Sequence, residues 1–220
     1  MEKLEKVLEP IRHSPRLIEA VKMLQAQIQE EKERRQRFYE EMTPEEKVEF
    51  IDGEVILHSP ARKVHLDVSA RLLQLLRLYV TAKNLGHVFS EKCLCVFPRN
   101  DYEPDIVFFR AGRGRGLTES TLKFPVPDLA VEILSDSTRE RDRGVKFEDY
   151  AAHGVGEYWL VDPEAKTIEQ YVLEGGRYVE VQPSEGAALT SRVIQGFAMP
   201  DLAAFDDQVN LQTIQELLAS

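Results

Sequence analysis

Short hydrophobic runs along the chain predict buried β-strands, and two of them contain one acidic residue each. Residues 102–109 include Asp105, and residues 128–134 include Glu132. Both runs are rich in β-branched, aromatic and aliphatic residues, which favour strands within a hydrophobic core. A carboxylate at such a position costs free energy unless it is paired, hydrogen-bonded or bound to a metal ion. The two acids therefore need partners, and those partners would indicate what the site does.

Helical patterns lie on both sides of these strands. Apolar residues recur at helical spacing over residues 64–83, which predicts one helix. Residues 137–140 read Ser-Thr-Arg-Glu and match the capping-box pattern, with the serine as cap. They predict the start of a second helix that runs to about His153.

Further short strands complete the pattern. Asp52-Gly53 predicts a turn, and Gly175-Gly176 predicts the tip of a hairpin. From residue 64 onward the order is helix, three strands, helix and strand, and later strands extend the sheet. The predicted strands are 88–97, 104–109, 127–134, 157–162, 167–173 and 177–181, and a short helix is predicted over 211–218.

Residues 1–47 are predicted to be helical and highly charged, with one narrow apolar seam. The seam consists of Leu17, Val21, Leu24 and Ile28, spaced four, three and four residues apart. Such spacing is typical of a coiled-coil or dimer arm. It is equally compatible with an amphipathic helix that packs on its own domain.

Composition limits the classes of function. The chain has 220 residues, 43% of them hydrophobic, which supports one main domain with a core. Its net charge of -10 excludes binding to nucleic acid through bulk positive charge. Cys93 and Cys95 lack further zinc ligands at suitable spacing, so we expect reduced core thiols and a cytoplasmic protein. No apolar run approaches the ~20 residues of a membrane span.

The two strand acids predict a metal site if their strands are neighbours. Asp105 and Glu132 would then converge, and Mg²⁺ prefers one or two carboxylates together with water and phosphate oxygens. Lys146 lies on the second predicted helix, where it shares a face with Asp142 and Tyr150. A lysine there could position the attacking water or stabilise charge that develops on a phosphate.

Each of these residues also has a structural interpretation. Asp105 could cap a turn at the strand entry, and Glu132 could form an ion pair with Arg139 or Arg143. Lys146 could pair with a neighbouring aspartate on a solvated helix face. The spacing alone leaves these alternatives open.

Two arginine clusters are candidates for contact with nucleic acid. One occupies residues 110–120, a glycine-rich segment that predicts a mobile loop, and the other opens the second predicted helix. Arginine holds phosphates well, although solvated loops and helices often carry it too. The arginines expected to contact nucleic acid are Arg113, Arg115, Arg139 and Arg143.

Several motifs together resemble those of a known bacterial family. They are Asp-Gly-Glu with Glu54, Ser-Pro followed by His65, Glu-Pro-Asp with Asp105, Val-Glu-Ile-Leu-Ser-x-Ser-Thr with Glu132, Arg-Asp-Arg-Gly-x-Lys with Lys146, and Gly-Val-x-Glu-Tyr-Trp-Leu-Val-Asp-Pro. Over about residues 46–205 the chain is similar to the Uma-two family, classed as candidate endonucleases within the PD-(D/E)XK superfamily.

The resemblance implies an α/β, restriction-endonuclease-like fold, with a central mixed β-sheet flanked by helices. It implies a phosphodiesterase site in which Asp105 and Glu132 bind Mg²⁺, with Mn²⁺ as a substitute. The superfamily motif places a lysine two residues after the second acid, but Leu134 stands there. The family resemblance assigns that role to Lys146.

Other motif residues would surround the two ligands. Glu54 would supply a further carboxylate to the metal, or would lie at the surface. His65, Asp142 and Tyr150 would form the polar surroundings of the ligands.

The function expected from the sequence is metal-dependent, endonuclease-type hydrolysis of phosphodiester bonds, with DNA as the expected substrate and RNA as an alternative. A homodimer would suit cleavage of both strands of a duplex. The alternative is a catalytically silent binding or assembly module with the nuclease fold, because Leu134 replaces the lysine. The expected domains are a helical extension over 1–45, the catalytic domain over 46–205 and a C-terminal helix over 206–220.

Overall fold

The structure is a computed structural model that describes residues 2–43, 45–181 and 188–219. Its helices are α1 (Glu2–Arg12), α2 (Leu17–Glu41), α3 (Lys63–Ala82), α4 (Ala111–Gly114), α5 (Arg139–Arg143), α6 (Val145–Ala152) and α7 (Asp207–Ala219), with a 3₁₀ turn at Asp201–Ala204. Its strands are β1 (Val48–Ile51), β2 (Glu54–Leu57), β3 (Gly86–Ser90), β4 (Leu94–Val96), β5 (Asp101–Tyr102), β6 (Ile106–Arg110), β7 (Lys123–Phe124), β8 (Leu129–Ile133), β9 (Glu157–Asp162), β10 (Thr167–Glu174), β11 (Arg177–Glu180), β12 (Leu189–Thr190) and β13 (Ala198–Met199).

A six-stranded mixed sheet forms the centre of the molecule. Its order is β11-β10-β9-β8-β6-β3, and β8 runs parallel to β9 while the other neighbours are antiparallel. Apolar residues of α3 pack on one face of this sheet, and an aromatic cluster that includes Tyr150 of α6 covers the other. The expected α/β fold with a mixed sheet flanked by helices is confirmed.

Strict alternation along β6 and β8 directs their side chains to two different cores. Ile106 and Val131 face α3, whereas Val107 and Ala130 face the aromatic cluster. Asp105 and Glu132 share the face of that aromatic cluster, because each is two residues away from one of its members. The sheet therefore presents both acids on the same side.

A second sheet lies beside the first, with the order β2-β1-β5-β4-β7. The strand predicted over 88–97 is wrong, because it consists of β3 in the central sheet and β4 in this one. Glu91 and Lys92 separate them with φ angles of 49° and 45°. Two successive residues in the left-handed region redirect the chain, which periodicity cannot reveal.

The two predicted turns are confirmed. Asp52 and Gly53 connect β1 to β2 with φ angles of 52° and 84°. Gly175 and Gly176 connect β10 to β11 with φ angles of 57° and 80°. Positive φ at both central residues matches the right-handed twist of the flanking strands.

The helix predicted from Ser137 to His153 is two helices. α5 begins at Arg139 after Thr138, whose side chain makes no capping hydrogen bond, so the predicted capping box does not form. Gly144 interrupts the helix with φ -108° and ψ -103°, and α6 restarts at Val145. The break places Lys146 in the first turn of α6, where it is buried.

The N-terminal helix α2 packs on the second sheet only through its C-terminal half. The rings of Phe38 and Phe50 stack at 5.8 Å, and Arg35 binds the carboxylate of buried Asp101. Val21, Leu24 and Ile28 of the seam remain between 40% and 52% exposed. The C-terminal half of α2 thus packs on its own domain, whereas the apolar seam in the N-terminal half remains exposed to solvent.

Residues 110–120 begin with an ordered helical turn, so the prediction of a loop throughout this segment is wrong. α4 follows β6 directly, and Gly114 lies so close to His87 that an added Cβ would meet its ring at 2.4 Å.

Within the described residues, no helix has the length and apolar character needed to cross a membrane.

Candidate active site

The pairing of β6 with β8 brings the two strand acids together. In the antiparallel register Ile106 is opposite Val131, so Asp105 and Glu132 occupy the next opposed positions. Both are buried, with 5% and 3% of their surface exposed. The backbone N–H of Ile133 donates to Asp105 Oδ2 at 2.8 Å, which fixes the aspartate against the neighbouring strand.

The other oxygen of Asp105 faces two cationic or potentially cationic side chains. Lys47 Nζ donates to Oδ1 at 2.7 Å, and His65 Nε2 lies 3.4 Å from the same oxygen. Burial alone would raise the pKa of Asp105, but His65 and Lys47 outweigh burial and lower it below the usual range. Because its side-chain oxygens contact Lys47, His65 and the neighbouring strand, the interpretation that Asp105 caps a turn is wrong.

Glu132 is held through a single oxygen. Lys146 Nζ donates to Oε1 at 3.0 Å, and Tyr150 Oη donates to the same atom at 2.9 Å. Burial, opposed by Lys146 and assisted by the carboxylates of Asp142 and Asp105, raises the pKa of Glu132 to about 8. Within the described residues no hydrogen bond reaches Oε2.

Lys146 is the hub of the buried cluster, with only 2% of its side chain exposed. Besides Glu132, its Nζ contacts Glu49 Oε1 at 2.9 Å and Asp142 Oδ1 at 3.3 Å. Burial opposes its charge, but the three carboxylates raise the pKa of the ammonium well above its usual value. A surface ion pair on a solvated face is thus excluded, and Lys146 is a fixed positive charge.

Two members of the site were missed by the sequence interpretation. Glu49 is fully buried on β1, and its carboxylate contacts Lys146 and, at 2.9 Å, His58 Nε2. Lys47, two residues earlier, binds Asp105. Glu49 carries the same signal as the other acids, a carboxylate within the apolar strand Val-Glu-Phe-Ile. Lys47 carries no signal, because its partner lies 58 residues away in the sequence.

The expected metal ligand Glu54 is not part of this cluster. The register of the hairpin pairs Ile51 with Glu54 and Glu49 with Ile56, so Glu54 lies at the turn end. Its side chain is exposed and borders a separate surface depression beside Arg34. The placement of Glu54 in the ligand set is therefore corrected: the buried acid of this hairpin is Glu49.

A cleft of about 340 Å³ opens onto the two strand acids. Its walls come from the segment after β2 and from the loop between β8 and α5. The ionisable residues that line it are the bases Lys47, His58, Arg62, His65, Arg139, Arg141 and Lys146 and the acids Asp105, Glu132, Asp136 and Glu164. The buried Nε of Arg141 has no hydrogen-bond partner among the described residues. The cleft therefore combines buried acids with a basic rim.

Of the four arginines expected to contact nucleic acid, only Arg139 lines this cleft, where it also pairs with Asp162 at 2.9 Å. Arg143 forms an ion pair with Glu169. Arg113 donates to the carbonyl of Val126, and Arg115 is exposed in the segment after α4. Because Arg139 and Arg143 have other partners, neither forms the ion pair with Glu132 that the sequence left open.

The buried charges of the cluster do not balance. Four carboxylates share the site with two lysines, which leaves two negative charges in excess when all are ionised; the members are Glu49, Asp105, Glu132, Asp142, Lys47 and Lys146. In the described part of the chain, no three His, Cys, Asp or Glu side chains converge to hold a metal ion. The donors that the two strand acids offer are carboxylate oxygens, the ligands that hard divalent cations such as Mg²⁺ take together with water.

The chain is similar in sequence to proteins from a cyanobacterium. Two proteins of Synechocystis sp. (strain PCC 6803) are similar: uncharacterized protein slr1290, 30% identical over 128 residues, and uncharacterized protein sll1609, 29% identical over 134 residues. These matches span 57% and 60% of this chain, and 66% and 75% of the relatives. The chain thus spans slightly less than two thirds of slr1290.

A solved structure shares the fold. A crystal structure described as "a putative nuclease belonging to DUF820" from Anabaena variabilis superposes with a TM-score of 0.65 at 20% identity. The superposition covers 76% of this chain and 94% of that one. A profile of the family Uma2, described as "Putative restriction endonuclease", matches residues 34–204 and so covers the whole cluster. The chain belongs to the Uma2 family, as its motifs predicted.

Proposed function

We propose that this protein is a divalent-metal-dependent endonuclease that hydrolyses phosphodiester bonds in DNA. The observation that carries the proposal is the opposed pair of buried acids, Asp105 and Glu132, at the floor of a cleft with a basic rim. Membership of a family described as "Putative restriction endonuclease" supports nuclease chemistry.

Asp105 and Glu132 would hold the metal ion, Mg²⁺ or Mn²⁺ in its place. A bound ion of this kind polarises a phosphoryl oxygen and lowers the pKa of a water molecule. Glu132 has Oε2 available for this purpose, because Lys146 and Tyr150 both bind Oε1. Burial raises the pKa of Glu132 to about 8, and a bound divalent cation would favour its ionised form, in which the cluster has negative charge in excess.

Lys146 would act as a fixed cation and not as a base. Its raised pKa keeps the ammonium protonated, so it cannot accept a proton from water at neutral pH. Its charge would stabilise negative charge that develops on the phosphate, and its hydrogen bond orients Glu132. Lys146 would thereby serve in place of the lysine that Leu134 replaces in the superfamily motif.

The rim of the cleft would bind the phosphates that flank the scissile bond. Arg139 and Arg141 line it from α5, and Arg62 lines the opposite wall. These residues replace Arg113, Arg115 and Arg143 as the proposed contacts, because none of those three lines the cleft. The net charge of -10 implies that binding depends on this local patch and weakens steeply with salt.

The exposed seam on α2 is proposed as the contact between two copies of the chain. Residues 17–29 carry only Glu19 and Lys22 as charged side chains, so two seams can approach without strong repulsion. A dimer would present two clefts to the two strands of a duplex.

A catalytically silent, nucleic-acid-binding module is the second candidate. The state of Asp105 favours this candidate, because neither of its oxygens is free. Lys47 donates to one oxygen, and the backbone N–H of Ile133 donates to the other. In that case the cleft would bind phosphates without hydrolysis.

Hydrolysis of labelled oligonucleotides discriminates the two candidates. Single-stranded DNA, duplex DNA and RNA of one sequence are incubated with the protein in Mn²⁺, in Mg²⁺ or in EDTA. We expect cleavage of DNA that requires the metal ion and is lost in Asp105→Asn but kept in Glu54→Gln, the exposed acid. Binding without cleavage of any substrate would favour the silent module, and cleavage of RNA alone would correct the substrate.

A further inference from the structure

Lys47 binds Asp105, one of the two acids proposed to hold the divalent cation. Its Nζ lies 2.7 Å from Oδ1, and His65 Nε2 lies 3.4 Å from the same atom. Lys47 donates a hydrogen bond to Oδ1, and the nearby imidazole of His65 crowds the same oxygen. Oδ2 accepts the backbone N–H of Ile133, which belongs to the sheet and cannot move away.

The side chain of Lys47 can leave while its backbone stays in place. Lys47 immediately precedes β1, and its carbonyl accepts the N–H of His58. The side chain keeps 23% of its surface exposed and lines the open cleft. Lys146, by contrast, is enclosed by three carboxylates with 2% exposed. Of these two lysines, therefore, Lys47 is the one that can exchange its carboxylate for solvent.

We propose that Lys47 is an internal counter-cation that competes with the divalent ion for Asp105 Oδ1, so that ion binding requires the ammonium to leave. The inference rests on the proposed metal site and adds a residue that sets its affinity. The ammonium carries one charge and the ion carries two, so the ion wins at sufficient concentration. At low concentrations of divalent ions, Lys47 consequently stays paired with Asp105.

Removing the charge of Lys47 should strengthen metal binding. The test is a titration of the full chain with Mn²⁺ in the absence of nucleic acid, followed by the rise in melting temperature and by calorimetry. In Lys47→Met we expect the midpoint concentration of Mn²⁺ to fall at least about tenfold, because one unit charge within a few ångströms of the ion is lost. The metal-free melting temperature should fall, because Asp105 loses its partner.

Three further variants isolate the charge. Lys47→Gln keeps a donor for Asp105 without the charge and should also lower the midpoint, which covers the case that the methionine variant fails to fold. Lys47→Arg keeps the charge and should retain the midpoint of the parent. Lys63→Gln removes an exposed lysine that pairs with Asp67 on α3, and it should have no effect.

The outcomes separate this inference from the proposed function. If Asp105→Asn abolishes the response to Mn²⁺ but the uncharged Lys47 variants keep or raise the midpoint of the parent, the metal site stands and the competition by Lys47 is wrong. If no protein responds to Mn²⁺, the metal site itself is contradicted, and the inference falls with it.

Discussion

At the residue scale, an acid inside an apolar strand is the signal that located this site. Asp105 and Glu132 carry this signal, and so does Glu49, although the Asp-Gly-Glu motif points to Glu54 instead. Lys146 was found, but its burial was not predictable, because spacing does not show which way a helix face turns. The role of Lys47 could not be predicted from the sequence, because a lysine before a strand is common. Its contact with Asp105 arises only when the chain folds.

Replacement of Lys146 by methionine should destabilise the protein by about 3 kcal/mol or more, because it leaves three buried carboxylates without their cation. Urea unfolding at pH 7 measures the change in the free energy of unfolding. Lys63→Met, which removes an exposed ion pair, should change it by less than about 1 kcal/mol. Equal effects of the two replacements would contradict the central position of Lys146.

Glu103 predicts a specific pH dependence of stability. Burial raises its pKa to about 7 from an ordinary value of 4.5. Between these two values the folded protein holds a proton that the unfolded chain has lost, so this contribution to stability is complete below pH 4.5 and lost as the pH rises to about 7. Glu103→Gln carries no charge at any pH, so its advantage over the parent should grow between about pH 5 and pH 8, by about 1 to 3 kcal/mol.

Urea unfolding of both proteins at four pH values between 5 and 8 checks this. Glu54→Gln is the control, because Glu54 is exposed and its replacement should change stability equally at every pH. A difference between Glu103→Gln and the parent that stays constant with pH would show that Glu103 is ionised in the folded protein throughout.

At the element scale, the existence and type of most elements follow from periodicity, whereas their interruptions do not. The helix at α3 and the β10–β11 hairpin are close to the prediction. The breaks at Glu91-Lys92 and at Gly144 come from local backbone conformations that hydrophobic patterns do not encode. The second break matters for function, because α6 starts there and carries Lys146 into the core.

Gly144 should resist substitution for this reason. A Cβ at this position would meet the carbonyl oxygen of Glu140 at 2.8 Å, so α5 and α6 would have to shift. Gly144→Ala should cost about 1 to 3 kcal/mol in the free energy of unfolding. Gly112→Ala is the matched control, because a Cβ there meets nothing within 4 Å and should leave stability nearly unchanged. A tolerated Gly144→Ala would show that the break does not depend on this contact.

At the scale of the whole molecule, the family motifs predicted the central mixed sheet, and the structure adds the second sheet and the docking of α2. The docking depends on contacts such as the ion pair between Arg35 and Asp101. These two residues are 66 positions apart, so local sequence patterns cannot predict their contact. The profile match begins at residue 34, within α2, so the docked half of this helix lies partly inside the family region and the seam lies outside it.

The seam should determine the oligomeric state. Leu24→Glu places a charge at the centre of the exposed apolar stripe and should convert a dimer to a monomer, as measured by size-exclusion chromatography with light scattering. Ala26→Glu adds the same charge on the opposite side of α2 and should leave the dimer intact. A parent protein that is already monomeric at micromolar concentration would contradict the proposed contact.

Nicking of supercoiled plasmid tests the central claim most directly, with the parent compared with Asp105→Asn, Lys146→Gln and Glu54→Gln. We predict nicking that requires Mg²⁺ or Mn²⁺, is abolished in the first two variants and persists in the third, because only Asp105 and Lys146 belong to the buried cluster. Folding of each variant is checked by circular dichroism. Nicking that persists in a folded Asp105→Asn protein would contradict the assignment of the opposed acids as the hydrolytic site.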